Sequence, residues 1–330
     1  MKLVLAKTLW GVEGLEDDNQ WDSIFARIQQ DGYTMIECVA AFSFGRTSPA
    51  RAQKFHDAAA KYNLQIICQI HTSGGFFSKD TNEYVYCQSF ELEDHLVSVA
   101  TELDVALHAH PVLINCHGGV DAWDHETQVQ FLLGAMAIAK KRNVNIQFET
   151  HRQRLFGNPF QTRSLLTDER LQNNKELKLT ADLSHWVVAC ERQLQHSCSS
   201  AQQRDPWWPD LLQLVAAHTT LIHCRVGYPE GPQVPDVTDP AYILDVQAHL
   251  EMWSVVWNVQ REKNGMTESI CEVEHGPAPY MWTLPHTAGQ PVVADLWKVN
   301  NDVAALVRAK YKTVEDELVS NTRAAASLSK

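Results

Sequence analysis

The stretch PVLINCHGGVDAWDHETQVQFLLGAMAIAKKRNVNIQFET (111–150) decides the fold. It opens with an apolar run rich in branched residues, PVLINCH (111–117), and closes with another, VNIQFET (144–150). Between them, HETQVQFLLGAMAIAKKR (125–142) carries its apolar residues at helical spacing. Strand, helix and strand in that order form the unit from which parallel sheets are built. The two connections are unequal: residues 118–124 lead into the helix, and Asn143 alone leads out of it.

The same cycle extends in both directions. Strands are predicted at LVLAKTL (3–9), TMIECV (34–39), LQIICQIH (64–71), LKLTADL (177–183), TTLIHC (219–224) and SICEVEH (269–275), giving eight with the two above. Amphipathic segments separate them, at 21–31, 49–62, 90–109, 206–218, 240–263 and 293–311, and more faintly at 161–173. Proline at or near the first turn opens several, as at Pro49, Pro206 and Pro240. Eight unbroken cycles predict a single α/β domain, a closed (β/α)8 TIM barrel over 1–312, followed by a polar tail over 313–330. An open doubly wound sheet would carry a Gly-rich turn after its first strand, and LWGVEGLED has no such pattern. Turns from helix to strand are short, at Asn63, His110 and Asn143. Segments from strand to helix are long: 72–89, 118–124, 151–160, 184–205, 225–239 and 276–292. The loops at the C-terminal face of the strands are therefore elongated, and in a barrel that face carries the active site.

Composition narrows the partners. With 28 basic and 40 acidic residues the net charge is −12, which repels phosphate backbones and anionic lipid. Neither nucleic acid nor a membrane is expected as a partner. The N-terminus shows no targeting pattern and no stretch approaches a spanning helix, so a cytoplasmic protein is expected. Eight scattered cysteines, several inside strand-like runs and none in a C-x-x-C pair, read as reduced core thiols.

Ionisable residues gather where strands give way to the long loops: Glu37, His71, His117, Glu149, His151, Asp182, His185, His223 and Glu274. At the mouth of a barrel, side chains from distant strands converge on one point. Glu149, Asp182, His223 and Glu274 come from consecutive strands and form an oxygen-dominated set. That set suits one divalent metal ion: Mn²⁺, Co²⁺, Mg²⁺, or Zn²⁺ with water completing the shell. Aromatic residues crowd the same rim (Trp10, Phe76, Phe77, Trp123, Phe156, Trp186, Tyr228, Tyr280 and Trp282), either as a lid over a sugar face or as packing under the loops.

FETHR (148–152), ADLSHW (181–186), LIHC (221–224) and VEHGPAPY (273–280) resemble the signature strands of the xylose-isomerase-like barrels. The combination of D-x-S-H-W with E-H-G-P-x-P-Y resembles the sugar phosphate isomerase/epimerase-like members in particular. The resemblance implies that Glu149, Asp182, His223 and Glu274 are the four metal ligands. It implies that His185 binds substrate, that His71 and His117 contact hydroxyl groups, and that Arg225 touches substrate. Glu272, on the same strand face, is a competitor of Glu274. A metal-dependent sugar isomerase or epimerase is then expected, working through an enediolate with Glu149 and Glu274 as the two proton-transferring carboxylates. Its substrate would be a small sugar or polyol. No phosphate cradle is recognisable, which favours an unphosphorylated one. The alternatives are a dehydratase or lyase on the same barrel, a DNA-repair nuclease resembling the apurinic endonucleases, and a non-catalytic barrel. A homo-oligomer is compatible with the sequence.

Overall fold

The computed structural model describes residues 1–44, 48–72, 74–78, 83–87, 89–194, 205–285 and 289–328, with the side chains of 41, 42, 74–78, 83–87 and 321–328 outside the description. Eight parallel strands close into a barrel: β1 (Lys2–Thr8), β2 (Met35–Val39), β3 (Gln65–His71), β4 (Leu113–His117), β5 (Ile146–Glu149), β6 (Leu179–Ala181), β7 (Thr219–Cys224) and β8 (Glu268–Val273). Each pairs with its sequence neighbours, and β1 closes the ring on β8. The outer layer is α1 (Trp21–Gln30), α2 (Pro49–Lys61), α3 (Leu92–Ala106), α4 (His125–Lys141), α5 (Pro159–Leu166), α6 (Trp208–His218), α7 (Ile243–Glu262) and α8 (Leu296–Leu328). The expected fold is the observed one.

Local chemistry explains where these helices start and stop. Ser48, Asp124 and Asn158 cap α2, α4 and α5 by accepting a hydrogen bond from the backbone N–H three residues on. Asn63, His110 and Asn143, which form the short turns, all have left-handed backbone, with φ of 56°, 50° and 55°. One such residue reverses the chain from a helix end into the next strand.

Inside the barrel the side chains change character along the strands. Val4, Ala6, Met35, Ile67 and Leu221 make an apolar floor, with Leu113 and Ile270 packed against it. Two residues further along come Glu37, Gln69, Asn115, His223 and Glu272, all buried. Two more bring His71, His117, Glu149, Arg225 and Glu274 to the mouth. The period of two along a strand thus converts sequence order into height within the barrel.

Three segments differ from expectation. The long connection after β3 contains an antiparallel hairpin, Gly74–Ser78 paired with Glu83–Cys87. The connection after β6 opens with a short helix, Ser184–Ala189. The last helix continues past residue 312 to Leu328; in its extension Val314 is buried and Glu315 pairs with Arg261 of α7. Among the described residues no helix is long and apolar enough to cross a membrane.

Lys7 of β1 points outward into the helical layer, only 1% exposed. Its Nζ has no hydrogen-bond partner among the described residues and lies 4.5 Å from the Trp297 ring centroid and 5.2 Å from that of Tyr33. Burial lowers its pKa from 10.5 to about 7. Between those values the unfolded chain binds the proton and the folded chain does not, so stability rises with pH across this window. Lys7→Met should therefore stabilise the protein at pH 7 by about 3 kcal/mol, less whatever the ring contacts return, and by much less at pH 10. Melting temperatures at the two pH values check this; an equal gain at both would contradict it.

Candidate metal centre

Glu149 ends β5, Asp182 follows β6, His223 lies near the end of β7 and Glu274 follows β8. All four are buried, and one ligand atom from each lies within 4.8 Å of the others. Oxygen and nitrogen donors about 2.0–2.6 Å from a common centre have separations of this order. The nitrogen His223 Nδ1 is 2.8 Å from Glu274 Oε2 and 3.5 Å from Glu149 Oε2. Glu149 Oε1 is buried with no hydrogen-bond partner among the described residues. The donor set and this orphaned oxygen fit a divalent cation.

A second group lies one step deeper. His223 Nε2 sits between Glu37 Oε2 at 3.3 Å and Glu272 Oε2 at 3.4 Å. Glu272 thus faces the underside of His223 while Glu274 joins the upper cluster. An Nε2–H donated to Glu37 Oε2 fixes the tautomer that presents the Nδ1 lone pair upward. Neutral amides connect the layers. Asn115 Nδ2 donates to Glu149 Oε2 at 2.6 Å and to Glu37 Oε1 at 3.2 Å. Gln69 Nε2 donates to Glu37 Oε1 at 2.9 Å. Gln69 and Asn115 escape a reading of the sequence, although both stand two positions before a mouth histidine.

The remaining candidates surround the four. His117 Nε2 donates to Glu149 Oε2 at 2.6 Å. His71 stacks on His117 with ring centroids 4.5 Å apart, and His151 bridges onward to His117 at 4.6 Å and His185 at 3.9 Å. Arg225 is buried: its Nη2 donates to Asp182 Oδ2 and to His185 Nε2, at 2.7 Å for the latter, and lies 3.5 Å from Glu274 Oε2. All eight candidate residues therefore belong to one neighbourhood, with Arg225 also neutralising charge inside it.

The electrostatics follow from crowding. Burial pushes Glu149 up to about 7, Glu274 adding to the effect and His223 opposing it. Burial also raises Asp182 to about 6 against the pull of Arg225. For Glu274, burial is outweighed by His223 and Arg225, which hold it down at about 2. Burial and the neighbouring Glu37 push Glu272 well above the usual carboxylate range. Burial alone would lower His223, but Glu274, Glu149, Glu272 and Glu37 raise it well above 6.5. His117 falls to about 3 through burial and Arg154, and His151 and His185 fall well below 6.5, burial again leading. The cluster is short of positive charge. It must keep protons on some carboxyls or take up a cation.

The aromatic rim divides. Trp123, Phe156 and Trp186 are buried packing residues, and Phe76 and Phe77 lie outside the described side chains. Trp10, Tyr228 and Tyr280 are half-buried, and Trp282 is exposed. Trp10 meets Tyr280 edge to face at 5.0 Å. It also lies against the backbone of Gly276, where a Cβ would come within 1.9 Å of the indole.

No family model and no curated protein matches the chain. Solved structures do match. A xylose isomerase-like TIM barrel/4-hydroxyphenylpyruvate dioxygenase fusion protein superposes with a TM-score of 0.58 at 11% identity, over 98% of this chain and 45% of that one. D-allulose 3-epimerase from Methylomonas sp., in complex with D-allulose, gives 0.54 at 11% identity, over 94% and 97%. Endonuclease IV from Thermus thermophilus gives 0.52 at 13% identity, over 95% and 100%. At these identities the likeness is one of fold.

Proposed function

We propose that this chain, which has the xylose isomerase-like TIM barrel fold, is a metal-dependent isomerase or epimerase acting on a ketose or a related polyol. The observation that carries the reading is the meeting of Glu149 and Glu274, from strands three apart in order, with Asp182 and His223 at one buried point of the mouth. The sugar bound in the D-allulose 3-epimerase structure supports the substrate class. A divalent ion held by the four residues would supply Lewis acidity, making a proton beside a carbonyl easier to remove. The chain's own residues do the rest. One of Glu149 and Glu274 removes the proton, and the other returns one. Return to the opposite face of the same carbon inverts it, and return to the neighbouring carbon isomerises. His117 and Asn115 hold the Glu149 carboxylate by its Oε2, and Oε1 is left without a hydrogen-bond partner among the described residues. His185, kept neutral by burial and Arg225, can exchange hydrogen bonds with a hydroxyl without carrying charge.

The test is a screen of ketoses and polyols in deuterated water. Exchange at carbon is expected with Mn²⁺ or Co²⁺, to vanish in chelator and to return when the ion is restored. Undiminished exchange in chelator would overturn the reading. Loss of water without reversible exchange would instead identify a lyase. The endonuclease IV likeness and the adjacent His117, Glu149 and His151 group favour a second reading, a metal-dependent nuclease. The net charge of −12 works against it, and failure to shift an abasic duplex at low salt would remove it.

A further inference from the structure

Beneath the mouth, hydrogen bonds from three strands converge on one side chain that the proton transfer does not use. Glu37 of β2 is 3% exposed. Its Oε1 accepts from Gln69 Nε2 of β3 at 2.9 Å and from Asn115 Nδ2 of β4 at 3.2 Å. Its Oε2 accepts from His223 Nε2 of β7 at 3.3 Å. Each donor carries the contact onward. Asn115 Nδ2 gives a second hydrogen bond to Glu149 Oε2, and His223 Nδ1 belongs to the candidate metal centre. Gln69 Oε1 accepts from His71 Nε2 at 2.9 Å. Strand register supports these arms. Gln69 is paired with Asn115 and His71 with His117 across β3 and β4, so the two amides form a tier one step below the two imidazoles.

A carboxylate accepts at both oxygens and donates at neither. Glu37 therefore dictates the direction of each arm. It draws the Gln69 amide nitrogen toward itself, which leaves the amide oxygen to His71 and puts a hydrogen on His71 Nε2. It keeps a hydrogen on His223 Nε2, which leaves the Nδ1 lone pair to a cation. An amide of the same shape cannot do both. One of its ends donates, and at Glu37 both ends meet donors. Glu272 Oε2 also lies 3.4 Å from His223 Nε2, but neither Glu272 oxygen has a hydrogen-bond partner among the described residues.

We propose that Glu37 is a positioning residue, which sets through these three arms the ligand nitrogen of His223, the carboxylate of Glu149 and the imidazole of His71. That the positioned groups move a proton on a ketose rests on the isomerase/epimerase reading; the control of the cation site by Glu37 does not.

The experiment titrates Mn²⁺ into the chelator-stripped protein by calorimetry, then follows deuterium exchange of D-allulose. Glu37→Gln keeps the shape of the side chain. Its amide nitrogen meets one donor on the His223 side and two on the other, so it turns toward His223 and breaks that bond. Mn²⁺ affinity should fall by about 10–100-fold. Combining Glu37→Gln with Gln69→Glu moves the carboxylate one place along the arm. That carboxylate accepts from His71 and from the new amide, whose oxygen then returns to His223, and most of the lost affinity should return. Gln69→Met cuts only the arm to His71. It should leave Mn²⁺ affinity within about threefold and raise the KM for D-allulose by about tenfold, with a smaller change in kcat. Melting curves in chelator check that each variant folds. Unchanged Mn²⁺ affinity in Glu37→Gln would overturn the proposal. So would a double variant no better than the single one, because lost charge or packing would then explain the loss. Absence of exchange on D-allulose and other ketoses, with the Mn²⁺ affinities as expected, would sink the assigned reaction and leave the role of Glu37 standing.

Discussion

Glu149→Gln should lower metal-supported deuterium exchange by about a thousandfold or more while making the metal-free protein more stable. Both halves follow from the same surroundings. The substituted amide oxygen can accept the hydrogen bonds that Asn115 and His117 give to Oε2, so the fold has no reason to rearrange. The variant loses the oxygen that takes up a proton. It also loses a charge that burial disfavours, since Glu149 is pushed from 4.5 to about 7. Between those values the folded chain holds the proton more tightly than the unfolded one, so wild-type stability falls as pH rises through the window. In chelator the variant should match the wild type near pH 5 and exceed it at pH 8, by about 2 kcal/mol. Melting curves at the two pH values, run beside the exchange assay, test this. A variant that keeps its exchange rate would remove Glu149 from the chemistry.

Arg225→Met should have the opposite effect on stability. This guanidinium lies among Asp182, Glu274 and His185 and is fully enclosed. Removing one partner of a buried ion pair costs about 3–5 kcal/mol, because the other charge stays behind. In chelator the melting temperature should fall by about 10 °C. Mn²⁺ should recover much of that loss, because a dication answers the same carboxylates. The wild type should gain less from the ion than the variant does. Equal gains in the two proteins would mean that the ion is not bound among Asp182 and Glu274.

The barrel is legible in the sequence because each strand carries branched apolar residues and each helix a period that the strands lack. Even the one-residue turns at Asn63, His110 and Asn143 can be read. The hairpin after β3 is not, although GGFFS and EYVYC carry the aromatic signal of strands. Its pairing is local and lies outside the eightfold repeat, so the cycle count leaves no place for it. The continuation of α8 is hidden for the reverse reason. Residues 313–328 have helix-forming composition but a broken apolar stripe, and the Arg261–Glu315 pair with α7 is visible only in the fold.

At the mouth, the convergence of Glu149, Asp182, His223 and Glu274 is readable because ionisable residues at strand ends stand out against apolar runs. Gln69 and Asn115 are hidden because a neutral amide draws no attention until the carboxylates it joins are seen.

The contact between Trp10 and Gly276 ties the first strand's loop to the last strand's. An indole resting directly on backbone leaves no room for even a methyl group. The two positions are therefore sterically linked. A side chain at 276 fits only with a smaller residue at 10 or with the indole displaced from Tyr280.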